Sequence, residues 1–298
     1  MQRDNEYVSE DCFTKGRASA ILRLLDDESE FVRRSVAREL ERHPKEGEIF
    51  LRKVSEGEDE GLAMSARALL EHLGWVDGVK PFLQFIRSLK YELETGWLLL
   101  DRVAYPTLDV SGTLAFLDEV ARRCGELLTP PNSARERCMI MNRVIFHEYG
   151  FHGATKDFAD PENSFLHKVV ERRRGLPITL SAIYLLVARR MEFELEPIGL
   201  PGRFMVGYFG DERPFYVDAW SGGRIREVGE LEAFLNLEGV PAEECSGALL
   251  PVTSAETLIR ACRNLTFQYK EAGDTANAKL FRSFVREFQD VLRREANA

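Results

Sequence analysis

Residues 163–223 read NSFLHKVVERRRGLPITLSAIYLLVARRMEFELEPIGLPGRFMVGYFGDERPFYVDAWSGG, and the hydrophobic rhythm of this stretch changes once along its length. Its first half is helical. Asn163 or Ser164 is the expected cap of a helix ending at Gly175. Pro177 then suits the first position of a second helix, where its missing N–H is no loss. That second helix carries the longest apolar run of the chain, Leu180 to Ala188, interrupted by Ser181 and Tyr184. After Glu194 the pattern becomes short alternating segments, LEPIGL, RFMVGYF and PFYVDAW, rich in β-branched and aromatic residues. Pro201-Gly202 and Gly210-Asp211-Glu212-Arg213 separate them as turns. Helices followed by an antiparallel sheet predict an α+β domain.

The last two strands form a hairpin whose register decides which side chains meet. If Phe209 faces Phe215 or Pro214 across the loop, Arg203 lies near Trp220 and diagonal to Asp218. The Pro214 pairing puts Arg203, Met205, Asp218 and Trp220 on one face, where the two charges can form a hydrogen-bonded pair. Otherwise both point to solvent at a strand end, where such a pair contributes little. A small anionic ligand, a carboxylate or phosphate, is a further expectation at Arg203.

The order of capped helix, Gly-x-Pro turn, apolar helix and two alternating strands ending in an aspartate resembles the transglutaminase-like superfamily. In its catalytic members the resemblance implies a thiol after Gly-x at the start of the long helix, then a histidine and an aspartate on successive strands. Here Gly175-Leu176 is followed by Pro177, and Pro201-Gly202 by Arg203. Asp218 matches the aspartate. A thiol at a helix N-terminus is activated by the partial positive charge of the first turn and by a neighbouring base. Pro177 offers no nucleophile, and Arg203 stays protonated and cannot act as a general base. Thr179 and Ser181 are the hydroxyls near the lost thiol position, weak nucleophiles without a histidine in reach.

Other residues have bland readings. His147 and His152 in HEYGFH are five apart, not the helical i, i+4 spacing of a zinc site, so no metal is expected. His167 is expected at the surface. Glu171-Arg172-Arg173-Arg174 ends a helix, where positive charge complements the last carbonyls, with an anion or partner site as the alternative. Ser221-Gly222-Gly223 reads as a turn. Cys138 and Cys262 read as core filler, and Cys245 has glutamate neighbours that do not activate a thiol.

Composition bounds the class. The chain has 298 residues, 44% of them hydrophobic, and a formal net charge of −9. It can bury a sizeable core in two or three domains. The acidic balance predicts neither nucleic-acid nor anionic-membrane binding. Five scattered cysteines suggest neither a disulfide framework nor a zinc site. No apolar run reaches the roughly eighteen residues of a membrane span. With a polar, acidic N-terminus, a cytoplasmic location is expected.

The N-terminal segment repeats itself. A shift of 29 places Leu22-Arg23 on Leu51-Arg52, Ala37-Arg38 on Ala66-Arg67, and His43 on His72. Leu22, Leu25, Val32, Val36 and Leu40 fall at helical spacing around the Asp26-Asp27-Glu28-Ser29 break. DDESEFVRRSVA resembles the turn and second helix of HEAT-type repeats. Two copies offer a packing extension or a protein-binding surface. From Gly78 to Gly153 the pattern stays helical, a lead-in that resembles a bacterial regulator-like branch of the superfamily. At the other end a helical pair turns at Gly273-Asp274, and Asn264-Leu265, Tyr269, Asp274 and Ala278 resemble one tetratricopeptide-type repeat. The expected division is therefore 1–77 for HEAT-like helical repeats, 78–250 for a transglutaminase/papain-like core with a small antiparallel sheet, and 251–298 for a C-terminal helical hairpin. Two functions remain open. One is a non-catalytic protein that binds a protein partner, without cofactor. The other is an amide hydrolase or acyl transferase using a non-standard site in the same cleft.

Overall fold

The computed structural model describes residues 15–27, 29–75, 77–210 and 212–296. They fall into two compact units, one through Val79 together with Arg102–Leu108, the other Lys80–Asp101 with Asp109–Ala298. Cys12 and Glu28 lie outside the described residues.

The first unit holds α1 (Lys15–Leu24), α2 (Glu30–Glu41), α3 (Pro44–Ser55) and α4 (Glu60–His72). From Lys15 to Pro44 is a step of 29 and from Glu30 to Glu60 one of 30, so the repeated sequence becomes two helix pairs. Pro44 starts α3 at a position that needs no N–H. Asp59 caps α4 by accepting from the Leu62 N–H at 3.3 Å. The residues that set the helical spacing, Leu22, Leu25, Val36 and Leu40, are buried in one cluster with Leu51 and Leu70.

The chain continues through α5 (Val79–Arg87), α6 (Leu93–Ala104), α7 (Ser111–Leu127) and α8 (Ala134–Asn142), the last running into a π-helical turn, Arg143–Glu148. Then come β1 (His152–Gly153), a 3-10 turn (Pro161–Asn163), α9 (Leu166–Arg172), β2 (Arg174–Gly175) and α10 (Pro177–Arg190). The sheet strands are β3 (Glu196–Ile198), β4 (Met205–Tyr208), β5 (Phe215–Asp218) and β6 (Arg224–Arg226), followed by α11 (Val228–Leu237), α12 (Ala242–Ala248), α13 (Ser254–Glu271) and α14 (Thr275–Ala296).

Every residue of α10 from Ile178 to Ala188 is buried, which makes it the central helix of its unit. It packs against α7, α9, α13 and the first two sheet strands. The sheet is an antiparallel meander in the order β3-β4-β5-β6. Val206 pairs with Val217 and Tyr208 with Phe215, so the register continues outward to Phe209 opposite Pro214. Of the two hairpin registers, this is the one that gathers Arg203, Met205 and Asp218 on one face. Met205 and Tyr216 of that face are buried against Leu231 and Leu235 of α11 and Cys245 of α12. This mostly helical chain with a small antiparallel sheet is an α+β fold. In the C-terminal pair, α13 and α14 meet around Tyr269 stacked on Phe281 at 5.4 Å. The turn between them lies at Gly273, whose φ of +78° favours glycine.

Three local expectations are corrected. The helix before α10 starts at Leu166 rather than at an Asn163 or Ser164 cap, and it ends at Arg172, with Arg173 left-handed at φ 59°, rather than at Gly175. Strand pairing also begins before Glu194, because β1 and β2 form a two-residue parallel ribbon. Two residues carry no periodicity from which a strand can be read. Finally, β6, Arg-Ile-Arg, adds a strand that was not anticipated.

Candidate functional site

Asp218 ends β5 with its side chain 2% exposed, and the guanidinium of Arg203, two residues before β4, reaches it, Nη1 to Oδ2 at 2.8 Å. The Arg203 side chain is 38% exposed and lies 5.1 Å over the Phe234 ring of α11. The carboxylate also turns the chain after the strand. Oδ1 accepts from the Ser221 N–H at 3.2 Å and Oδ2 from the Ser221 hydroxyl at 2.9 Å. A second guanidinium, Arg226 on β6, comes only to 3.8 Å of Oδ2, and its Nε is buried without a hydrogen-bond partner. Behind the pair, Arg260 donates to the Arg203 carbonyl at 2.8 Å, and burial holds the Arg260 guanidinium below its ordinary pKa.

Pro177 is the first residue of α10. The hydroxyls beyond it are fully buried and already used. Thr179 donates to the Asn163 carbonyl at 3.0 Å and Ser181 to the Phe204 carbonyl at 3.3 Å. The Ser181 bond fixes the second turn of α10 beside the residue that follows Arg203. A hydroxyl bonded to a carbonyl inside the core has neither a base to accept its proton nor access to a substrate. The turn after Asp218 is locked from two sides. Trp220 covers Gly153, where a Cβ would stand 2.6 Å from the indole ring. Asn142 donates to the Gly223 carbonyl at 2.6 Å, and Gly223 itself has φ +79°.

A second buried carboxylate was not foreseen. Asp101 on α6 is fully buried and accepts from the backbone N–H of Leu166 and of His167, both at 2.8 Å. It is the N-terminal cap of α9, supplied by a residue some sixty positions earlier, which is why no local cap could be read. The same carboxylate accepts from His167 Nδ1 at 2.8 Å. His167 is therefore not a surface residue, since its side chain is only 10% exposed. Burial pushes the Asp101 carboxyl up from its ordinary value, while the donors of His167 and Leu166 oppose that shift. Around it Trp97 donates to the Ser164 carbonyl at 3.1 Å, and the Ser164 hydroxyl donates to Gln268 at 2.6 Å. Gln268 in turn donates to the carbonyls of Phe158 and Asp160, which fastens α13 to the loop before α9.

The arginine run divides its work. Arg172 pairs with Asp160 at 2.7 Å and Glu162 at 2.6 Å, and Arg174 reaches Asp157 at 3.4 Å. Arg173 lies 4.0 Å over Phe116 and 5.0 Å over Phe151, its charge held by ring faces. Burial pushes the Cys124 thiol up to about 12 and that of Cys138 to about 11, and moves Cys262 in the same direction. His147 and His152 are both exposed. Among the described residues no group of three or more His, Cys, Asp or Glu side chains could hold a metal ion.

The sequence pattern of the transglutaminase-like superfamily matches residues 112–263, which contain α10, the sheet and both members of the Arg203–Asp218 pair. The chain belongs to that superfamily. It is similar to a UPF0162 protein of Xylella fastidiosa, 32% identical over 58% of this chain and 63% of the relative. It is also similar to a UPF0162 protein of Vibrio cholerae, 26% identical over 48% of this chain and 53% of the relative. F-box only protein 21 of Homo sapiens is 26% identical over 70% of this chain, which corresponds to 37% of that protein. The chain thus spans less than two thirds of the length of these relatives. No solved structure matches it. No described helix is long and apolar enough to cross a membrane.

Proposed function

We propose that this chain is a non-catalytic transglutaminase-like protein of the cytoplasm that acts by binding a protein partner. Pro177, Arg203 and Asp218 stand at the positions that would carry thiol, histidine and aspartate. The observation that carries the reading is the 2.8 Å ion pair between Arg203 and buried Asp218. An aspartate that would orient an imidazole instead holds a guanidinium, which cannot exchange a proton near neutral pH. Pro177 at the helix start supplies no nucleophile, and Thr179 and Ser181 are buried in bonds to carbonyls. The buried thiols with raised pKa values hold little thiolate at neutral pH. For binding, the helical ends supply surface. The N-terminal pairs read as HEAT-like repeats leave Phe31, Ile49 and Met64 exposed, and the C-terminal pair reads as a tetratricopeptide-like hairpin.

The test is enzymatic and comparative. Purified chain is assayed for amine incorporation into a glutamine-bearing protein and for ammonia release from amide substrates, beside the Pro177→Cys/Arg203→His double variant. No turnover by the natural sequence is expected. Turnover that disappears in Thr179→Val or Ser181→Ala would overturn the reading in favour of an amide hydrolase or acyl transferase. The binding half predicts a stoichiometric partner on gentle purification from source cells, lost in a Phe31→Ser/Met64→Ser variant. Retention of that partner by the variant would move the surface elsewhere.

A further inference from the structure

The charges around Asp218 do not balance, and the imbalance indicates a ligand. A carboxylate offers two oxygens, and here both are engaged. Oδ1 takes the Ser221 N–H, while Oδ2 takes the Ser221 hydroxyl and Arg203 Nη1. Arg226 arrives too late for a good bond. Its Nη2 stays 3.8 Å from Oδ2, beyond hydrogen-bond length, and its buried Nε has no partner. Each guanidinium carries five N–H donors in a planar fork, so the two arginines bring about ten donors to a carboxylate already near saturation.

The field has the same sign. Arg203 and Arg226 lie around one aspartate, Arg260 donates to the Arg203 carbonyl behind them, and the charge of Arg263 adds to burial in lowering the Arg260 pKa. Arg224, the cross-strand neighbour of Asp218, has Glu230 only at 3.7 Å. This is a local excess of positive charge on a chain whose formal net charge is −9. Arg203 is also pre-set for recognition. Its guanidinium is held by Asp218 on one side and by the Phe234 ring at 5.1 Å, yet its side chain is 38% exposed. Little rotamer freedom remains to be lost when it binds.

We infer that Arg203 and Arg226 form an oxyanion-binding fork at the end of the β4–β5–β6 face, which takes a carboxylate or phosphate group bridging the two guanidiniums. The inference rests on the reading that Arg203 has replaced a proton-transferring base. It adds what the replacement does: a base that would move a proton has become a fixed charge that holds an anion. The ligand group supplies the acceptors that Asp218 cannot, and Arg226 Nε gains a nearby negative charge.

The experiment follows the Nε–Hε signals of Arg203 and Arg226 in isotope-labelled full chain by nuclear magnetic resonance. Inorganic phosphate, acetate and triglutamate are titrated against sodium chloride at matched ionic strength. The expected result is a saturable movement of both signals with at least one oxyanion and not with chloride. Arg226→Gln, which leaves the Arg203–Asp218 bond in place, is expected to weaken binding by about tenfold or more. If that variant does not fold, Arg226→Lys, which keeps the charge and loses the fork, is read in its place with the same expectation. Triglutamate binding more tightly than acetate assigns the group to a peptide, and phosphate binding most tightly assigns it to a phosphorylated ligand. Equal movement with chloride, or unchanged affinity in the folded variant, overturns the inference. The amine-transfer assay on the same sample separates the two readings. Turnover overturns the non-catalytic assignment, whereas absence of both turnover and anion binding overturns the fork alone.

Discussion

Asp101 and Asp218 are both removed from water, yet the chain satisfies them in opposite ways. Asp101 sits between helices and takes two backbone N–H groups and an imidazole. Asp218 sits at a strand end and takes a serine turn and two guanidiniums, one close and one distant. The first is enclosed by partners fixed in the fold, two backbone N–H groups and a nearly buried ring. The second faces permanent charge and keeps a half-exposed cation at its edge. A buried carboxylate with backbone donors is a structural clamp; one with surplus guanidinium is a place where another anion can compete.

If that contrast is right, Asp101→Ala has the largest effect. It uncaps α9 and strips His167 of its acceptor, and breaking such a buried pair costs about 3–5 kcal/mol. Urea melts of the variant check this. A loss smaller than that of the Asp218 variant would reverse the ranking. Asp218→Asn should cost about 2 kcal/mol, because the amide keeps an acceptor for Ser221 but removes the charge facing Arg203 and Arg226. Restoration of stability by added phosphate in that variant would sharpen the comparison, showing that an anion can replace the lost carboxylate.

Thiols test burial where it outweighs nearby charge. The folded state holds the Cys124 proton up to about 12 and the Cys138 proton up to about 11, against an ordinary value of 9.0. A raised pKa contributes stability that is intact below the unfolded value and is lost as pH rises through the folded one. The chain should therefore weaken from about pH 9 upward, by about 1–2 kcal/mol per thiol at pH 10. Burial raises Tyr184 in the same direction. Denaturant melts from pH 7 to 10.5 check the slope, and Cys124→Ala should flatten it; an unchanged slope would remove the thiols from the account. The smallest effect belongs to Arg203→Ala, about 1 kcal/mol, because a side chain this exposed is screened by solvent and Ser221 and Arg226 still face the carboxylate. A loss above that of Asp218→Asn would mean that Arg203, not Asp218, organises the strand end.

How much of this was legible in the sequence depended on the range of the interaction. The Arg203–Asp218 pair could be anticipated because period-2 alternation and a single hairpin loop set its register, leaving two pairings to choose between. The order of α10, β4 and β5 could be read for the same reason, since each carries its own hydrophobic period. The clamp at Asp101 could not, because it joins α6 to α9 and no local pattern marks which distant carboxylate will cap a helix. His167 looked like a solvated helical residue for want of that partner. Likewise Asn163 and Ser164 fit the residue preferences of a cap, but tertiary contacts engaged both, Asn163 through its carbonyl with Leu176 and Thr179, and Ser164 through its hydroxyl with Gln268.

The amino-acid sequence by itself determined the α+β class, the repeated helix pairs before it, the proline at the start of the long helix, and the arginine placed two residues before the first hairpin strand. Those are properties of short segments, fixed by periodicity, by the missing N–H of proline and by the permanent charge of guanidinium. Only the tertiary structure decided which buried carboxylate is satisfied and which is crowded by cations. That depends on how many donors the fold brings within about 3 Å of each oxygen, a count no single segment contains.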